Sequence, residues 1–366
     1  MKKALLAAAI AVPAVGYAQS SVSLYGIVDE GVTYTNSQAG HSNVQMSSGN
    51  IQGSRWGLKG QEDLGGGLAA VFNLENGYDV GTGKLGQGGR MFGRKAYVGI
   101  SSPYGTVTLG RQYESTVDFI TPYVSNEIWG GGLFIHANDM DLTDGTVRVD
   151  NSMKFKSVDY AGFNFGGLYS FGGQPGAFGK NSVWSAGASY THDWFSAGAS
   201  YLHINSPSTA VLQTFANSPT YTNVIYGSYL AAARSEDVLA AGTSLKFGAA
   251  QVLLSYTDTV YHGGAEGHDV RFANYETSFG YYFTPTVFGA ATYNFTDGIN
   301  HANDQTPRYH LFGLMGDYFL SKRTDLYAQV AAQLATSDAH YAQIGGLTAS
   351  STNRQVVARI GIRHKF

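Results

Sequence analysis

The chain has 366 residues, with 23 Lys+Arg against 26 Asp+Glu and no cysteine. That balance supplies no basic surface for a nucleic-acid partner, and the missing cysteines exclude a disulfide framework and thiol chemistry. Charged residues are 13% of the chain, about half of the ~25% usual for globular domains, while glycine contributes 48 residues and the aromatics 13%.

The opening MKKALLAAAIAVPAVGYAQS carries Lys2 and Lys3, an apolar run and small residues before Gln19. It reads as a signal peptide over residues 1–18, too short to span a membrane as a helix, for export through the periplasm. Removing it leaves 348 residues, with 21 basic against 26 acidic side chains. No later run approaches the ~18 unbroken apolar residues of a membrane helix. Residues 19–366 read as one unit without a linker.

Side-chain alternation of period two, the geometry of a strand, recurs along this unit. Val22–Tyr34 comes first, followed by a polar stretch to about Gly49. Ile51–Gly60 turns through residues 62–66 into Leu68–Tyr78. Phe92–Ser101 and Thr106–Tyr113 meet at a Ser-Pro-Tyr-Gly turn, and a long stretch, 114–146, holds no strand. Val147–Ser157 and Phe163–Phe171 form the next pair. Then "WSAGASYTHDWFSAGASY", Trp184 to Tyr201, states one pattern twice: an aromatic at each end, alanine at every second position, and Ser, Gly, Ser between. As a hairpin it places Trp184, Ala186, Ala188 and Tyr190 on the same face as Phe195, Ala197, Ala199 and Tyr201. Alanines underfill a soluble core, which packs to crystal density. They suit a face against lipid tails, with aromatics at the two interfaces.

After a polar insert, 205–236, come Asp237–Phe247 with Gln251–Thr259, Phe272–Phe283 with Val287–Thr296, Tyr309–Phe319 with Asp325–Leu334, and last Arg354–Phe366. These make sixteen strands, an even number, with short turns on one side and longer loops on the other, as in outer-membrane barrels. In the closing RIGIRHKF, Ile360, Ile362, His364 and Phe366 share one face and Arg359, Gly361, Arg363 and Lys365 the other. A lipid-facing stripe ending on Phe366 is expected to close the barrel against the first strand.

On SSVSLYGIVDEG, GSRWGLKGQEDLGGGLAAVFNLENGY, RKAYVGISSPYGTVTLGRQY, RVDNSMKF, LSKRTDLY and GIRHKF, the chain resembles the general porins of Gram-negative outer membranes, in their β-proteobacterial and neisserial branch. The match runs through nearly the whole mature chain. It implies an all-β transmembrane antiparallel barrel of sixteen strands, a homotrimer, and a third extracellular loop folded into the lumen, here 114–146. It further implies contact with outer-membrane lipid and lipopolysaccharide, handling by the barrel-assembly machinery, for which Phe366 is the C-terminal residue, and passage of ions and small hydrophilic solutes. No cofactor and no enzymatic activity are implied.

Selectivity in a pore is set at its narrowest point by fixed charge. Arg55 and Lys59 share the face opposite Trp56 and Leu58, so they point inward if Trp56 meets lipid, where an arginine at mid-depth costs ~2–4 kcal/mol. Arg148, alternating with Val147 and Val149, follows the same rule. Parity does not choose between Arg94 and Lys95, and Arg111 follows Leu109 on the outward parity. The resemblance maps the family's wall cations onto Arg55, Arg148, and Arg94 or Arg111. Candidate loop acids are Asp139, Asp141, Glu127 and Asp118. Three or four wall arginines, against loop acids whose number at the aperture the sequence leaves open, suggest a modest anion preference.

Two motifs are set aside. GTGKLG, residues 81–86, has the glycine spacing of a dinucleotide loop without its strand-to-helix setting. His262, Glu266 and His268 read as hydrated loop residues rather than metal ligands, lacking a fixed scaffold. The alternatives to a diffusion channel are a barrel lipase or protease, for which no catalytic set is visible, and a non-conducting structural or adhesive barrel.

Overall fold

In the computed structural model, residues 20–210 and 223–366 are described; the leader expected at 1–18 lies outside them. Seventeen strand segments form one sheet. They are β1 (Ser21–Gln38), β2 (His41–Ser48), β3 (Arg55–Gly65), β4 (Leu68–Gly77), β5 (Lys95–Ser102), β6 (Gly105–Gln112), β7 (Val149–Ser157), β8 (Phe163–Ser170) and β9 (Val183–His192). The chain continues through β10 (Phe195–Asn205), β11 (Ser235–Phe247), β12 (Ala250–Ala265), β13 (His268–Thr284), β14 (Val287–Asn300), β15 (Pro307–Phe319), β16 (Thr324–Ser337) and β17 (Arg354–Lys365). Each pairs antiparallel with its chain neighbour, except that β1 takes β2 along its second half and β3 along its first. Those two segments are therefore halves of one crossing, and the sheet has sixteen. Pairing of β1 with β17, from Ile27↔Lys365 to Thr35↔Val357, closes it into a barrel.

Two expectations need correction here. The polar stretch after Tyr34 is strand: β1 runs on to Gln38 and β2 follows, because alternating Asn43, Val44, Gln45, Met46 still presents Val44 and Met46 outward, 67% and 66% exposed. Residues 51–54 instead leave the sheet, drawn in by the Asp29 carboxylate, which accepts from the backbone N–H groups of Ile51 (2.8 Å) and Gln52 (2.9 Å). Likewise His262 and His268 lie on strands. They sit in the tall β12–β13 hairpin, with a two-residue turn at Glu266-Gly267, and His262 is held by Asp237 (2.7 Å) and Asp269 (2.9 Å).

The repeated hairpin forms as read, with Ala199 opposite Ala188 and Tyr201 opposite Ala186. At one end of its apolar face the rings of Trp184 and Tyr201 pack 5.2 Å apart. Elsewhere the outward face carries Phe312, Leu314, Val330 and Ile360, all exposed. A contiguous apolar surface of this extent is stable against hydrocarbon, where no sheet edge can be left open.

The opposite face of the strands is where the core lies, and segment 114–148 supplies much of it. Phe134, Leu133 and Trp129 pack with Leu253, Phe288, Leu311 and Met315, and Met140 and Leu142 with Leu202, Val238, Tyr261 and Phe272. Glycines on that face make room for the segment's rings. A Cβ at Gly242 would come within 2.5 Å of Tyr123, one at Gly280 within 2.9 Å of Trp129, and one at Gly313 within 2.6 Å of Phe134. Gly187 and Gly198, in the Ser-Gly-Ser stripe of the repeated hairpin, lie under Phe119 and Tyr123.

Candidate functional site

Segment 114–148 begins with a short helix, α1 (Ser115–Phe119), capped by Glu114, whose carboxylate accepts from the N–H of Thr116 and of Val117. Farther on, His136 is fully buried between two carboxylates, Asp141 at 2.5 Å through Nδ1 and Glu276 of β13 at 3.0 Å through Nε2. Glu276 also accepts from the Ser125 N–H (2.7 Å), and Asp141 from the Thr257 hydroxyl (2.5 Å). This clamp ties the segment to β12 and β13. Burial disfavours a charged His136, but the two carboxylates prevail and hold its pKa up at about 10. Asp141 is correspondingly held below its ordinary range by His136, against the effect of burial.

A cavity of about 250 Å³ is lined by Arg55 at the start of β3, by Arg94 and Arg148, the residues just before β5 and β7, and by Glu127 and Asp144 from within the segment. Tyr113 organises the arginines: its hydroxyl accepts from Arg94 (2.9 Å) and Arg148 (2.5 Å), and the Arg148 guanidinium lies 4.7 Å over its ring. Glu75 of β4 accepts from Arg94 Nε (2.8 Å) and lies 3.9 Å from Lys95. Arg55 is anchored to the Gly53 carbonyl (2.8 Å). Burial, then the neighbouring Asp144, pushes Glu127 up to about 7. Burial pushes Asp144 up to about 6, against the Asn126 amide that donates to it. Wall arginines thus face carboxyls that change charge near neutral pH.

The other candidate residues lie elsewhere. Lys59 sits on β3 with its ammonium 5.3 Å over the Tyr25 ring. Arg111 is buried at the irregularity between β6 and β7: it donates to the Gly93 carbonyl and pairs with Asp150 at 2.5 Å, whose other oxygen takes Arg90. Asp139 is buried within the segment, accepting from the Asp144 N–H (2.7 Å) and the Thr146 hydroxyl. Asp141 belongs to the clamp, and Asp118 pairs with Lys154 and, at 4.0 Å, Lys156. Glu75, Tyr113 and Asp144 were not among the candidates. Glu75 was within reach of the parity rule, since Asn73 and Glu75 alternate with Phe72 and Leu74. No local pattern announces Tyr113. Phe366 exchanges two backbone hydrogen bonds of 3.0 Å with Gly26. GTGKLG is a loop leading into no helix, and no group of three His, Asp or Glu fit to hold a metal occurs among the described residues.

Residues 4–338 match the family model of the Gram-negative porins. The chain belongs to that family. An outer membrane porin of Bordetella pertussis is 41% identical over 190 residues, 47% of this chain and 48% of that one. Outer membrane porin protein 32 of Delftia acidovorans is 29% identical across the full length of both chains. Among solved structures, an anion-selective porin from Comamonas acidovorans superposes with a TM-score of 0.77 at 26% identity, covering 95% of this chain and all of that one. This porin is a protein of the outer membrane, crossing it by strands.

Proposed function

We propose that this porin is a passive diffusion channel for ions and small hydrophilic solutes, with a modest anion preference, and that segment 114–146 narrows its lumen. The observation that carries the reading is the convergence of Arg55, Arg94 and Arg148, from three separate parts of the wall, on one small cavity bounded by that segment. Fixed guanidinium groups at a narrow aperture lower the barrier for anions and raise it for cations. The resemblance to a porin described as anion-selective points the same way. Glu75, Glu127 and Asp144 offset part of the positive charge, which is why the preference is modest. The channel works as a homotrimer in lipid and lipopolysaccharide, and Phe366 is the residue through which the assembly machinery receives it.

Single-channel current in a planar bilayer, with the reversal potential read across a KCl gradient, tests this. Closure in three equal steps and a potential of the anion-selective sign are expected. Replacing Arg55 and Arg148 by Ser should move that potential toward zero. A folded protein without conductance would overturn the channel, and an unmoved potential in the double variant would remove the arginines from it.

A further inference from the structure

Below the arginines, toward the short-turn end, the wall carries a second group of cations. Lys59 lies four residues beyond Arg55 along β3, toward the short turn, opposite Asn73. Lys154 and Lys156 lie six and eight residues beyond Arg148 toward the short turn after β7, opposite Thr108 and Thr106. At ~3.3 Å per residue, the positive charges descend the wall as steps rather than ending at the aperture. A cavity of about 450 Å³ runs along these steps, lined by Lys95, Lys154 and Lys156, by the hydroxyls of Tyr97 and Thr106, and by Asp118 of α1. Tyr113 and Val117 line both this cavity and the smaller one above, so the two adjoin.

The chain itself shows how an oxyanion sits there. The Asp118 carboxylate lies between the two β7 lysines, one oxygen on Lys154 and the other 4.0 Å from Lys156. Lys154 also donates to the Tyr113 carbonyl (2.9 Å), which fixes its ammonium in the chamber. Three lysines line the cavity with this one carboxylate. Lys95 has a share of Glu75 at 3.9 Å, which Arg94 holds more closely. Ammonium groups are point charges suited to phosphate oxygens, and a dianion carries twice the charge of the Asp118 side chain it must compete with.

Taking the channel reading as given, we propose that this chamber is a second anion station, where a phosphate dianion, free or as a phosphomonoester, pauses between Lys154, Lys156 and Lys95 after passing the arginines. Asp118 is the built-in competitor that keeps the hold weak enough for release, as conduction requires.

The probe is inorganic phosphate, titrated against chloride current through single channels at pH 8. Phosphate reduces the wild-type current with a definite half-blocking concentration. Lys154→Gln with Lys156→Gln raises that concentration tenfold or more. Asp118→Asn lowers it at least threefold, a direction that loss of folding cannot produce. Heat-modifiable migration on a gel reports folding of each variant. Shifts below twofold in both variants, or block that only Arg55→Ser abolishes, would overturn the station while leaving the channel intact. Should the protein not conduct, line broadening of the inorganic phosphate ³¹P resonance by the detergent-folded protein decides instead. Broadening lost in the double lysine variant supports the station, and broadening unchanged sinks it.

Discussion

Glu127 and Asp144 face three arginines that stay charged between pH 5 and pH 8. With pKa values of about 7 and about 6, both carboxyls are ionised above pH 8 and neutral below pH 5. Acidification therefore removes negative charge from the cavity and leaves the positive charge untouched. The chloride-to-potassium permeability ratio should rise severalfold between pH 8 and pH 5, since charges a few ångströms apart at an effective dielectric constant of about 20 interact by several kcal/mol. Glu127→Gln with Asp144→Asn should fix the ratio near its acid value and flatten the profile; a double variant that still titrates like wild type would assign the effect to other groups. Parity brought Arg55 and Arg148 inward from the sequence alone, because a strand has only two faces and one is denied to charge. Asp139 and Asp141 were indistinguishable from Asp144 in sequence. All three lie in one six-residue run of an irregular segment, and only the backbone path decides that two are tied up internally while the third meets the arginines.

For segment 114–148, the Asp141–His136–Glu276 clamp sets the hold on the wall. His136→Ala leaves two buried carboxylates facing each other, and breaking a buried pair in this way costs ~3–5 kcal/mol. Faster proteolytic nicking between residues 114 and 146 in detergent-folded protein, with the barrel still heat-modifiable, is the expected result. The pH dependence follows from the two shifts. His136 is raised, so its contribution is full below its ordinary value of 6.5 and is lost as pH climbs through about 10. Asp141 is lowered, so its contribution is present above its ordinary value of 3.8 and is lost as pH falls below it. The clamp should hold through neutral pH, and nicking should accelerate toward pH 10; equal nicking at pH 6 and pH 10 would count against it. The glycine seats make a separate prediction. In Gly313→Leu the new side chain meets Phe134, from 2.6 Å at Cβ onward, so unit conductance should change markedly while the sheet still forms. Unaltered conductance would show that the ring has room elsewhere. The Ser-Gly-Ser stripe of the repeated hairpin is where Phe119 and Tyr123 rest, a use that no period-two pattern encodes because the partner is distant in sequence.

Across the whole molecule, closure rests on the last strand. Phe366 adds two backbone hydrogen bonds to Gly26 beyond the β1–β17 ladder, each worth about 0.5–1.5 kcal/mol net. Deleting it should lower the unfolding temperature in detergent and reduce the folded fraction on refolding, both read from the heat-modifiable band; an unchanged fraction would limit the residue to a role in cells.

The sequence by itself determined the number of crossings, most of the strands and the face that each of those turns to lipid, but not β2, where polar residues hide the alternation. All of these follow from a two-residue period, local turns and a solvent that rejects charge on one side. Only the tertiary structure decided which cations share a cavity, which acids oppose them, and that segment 114–148 rests on glycines spread over five strands. Those relations join residues as far apart as Phe134 and Gly313 through one irregular segment, and irregular backbone has no period to read.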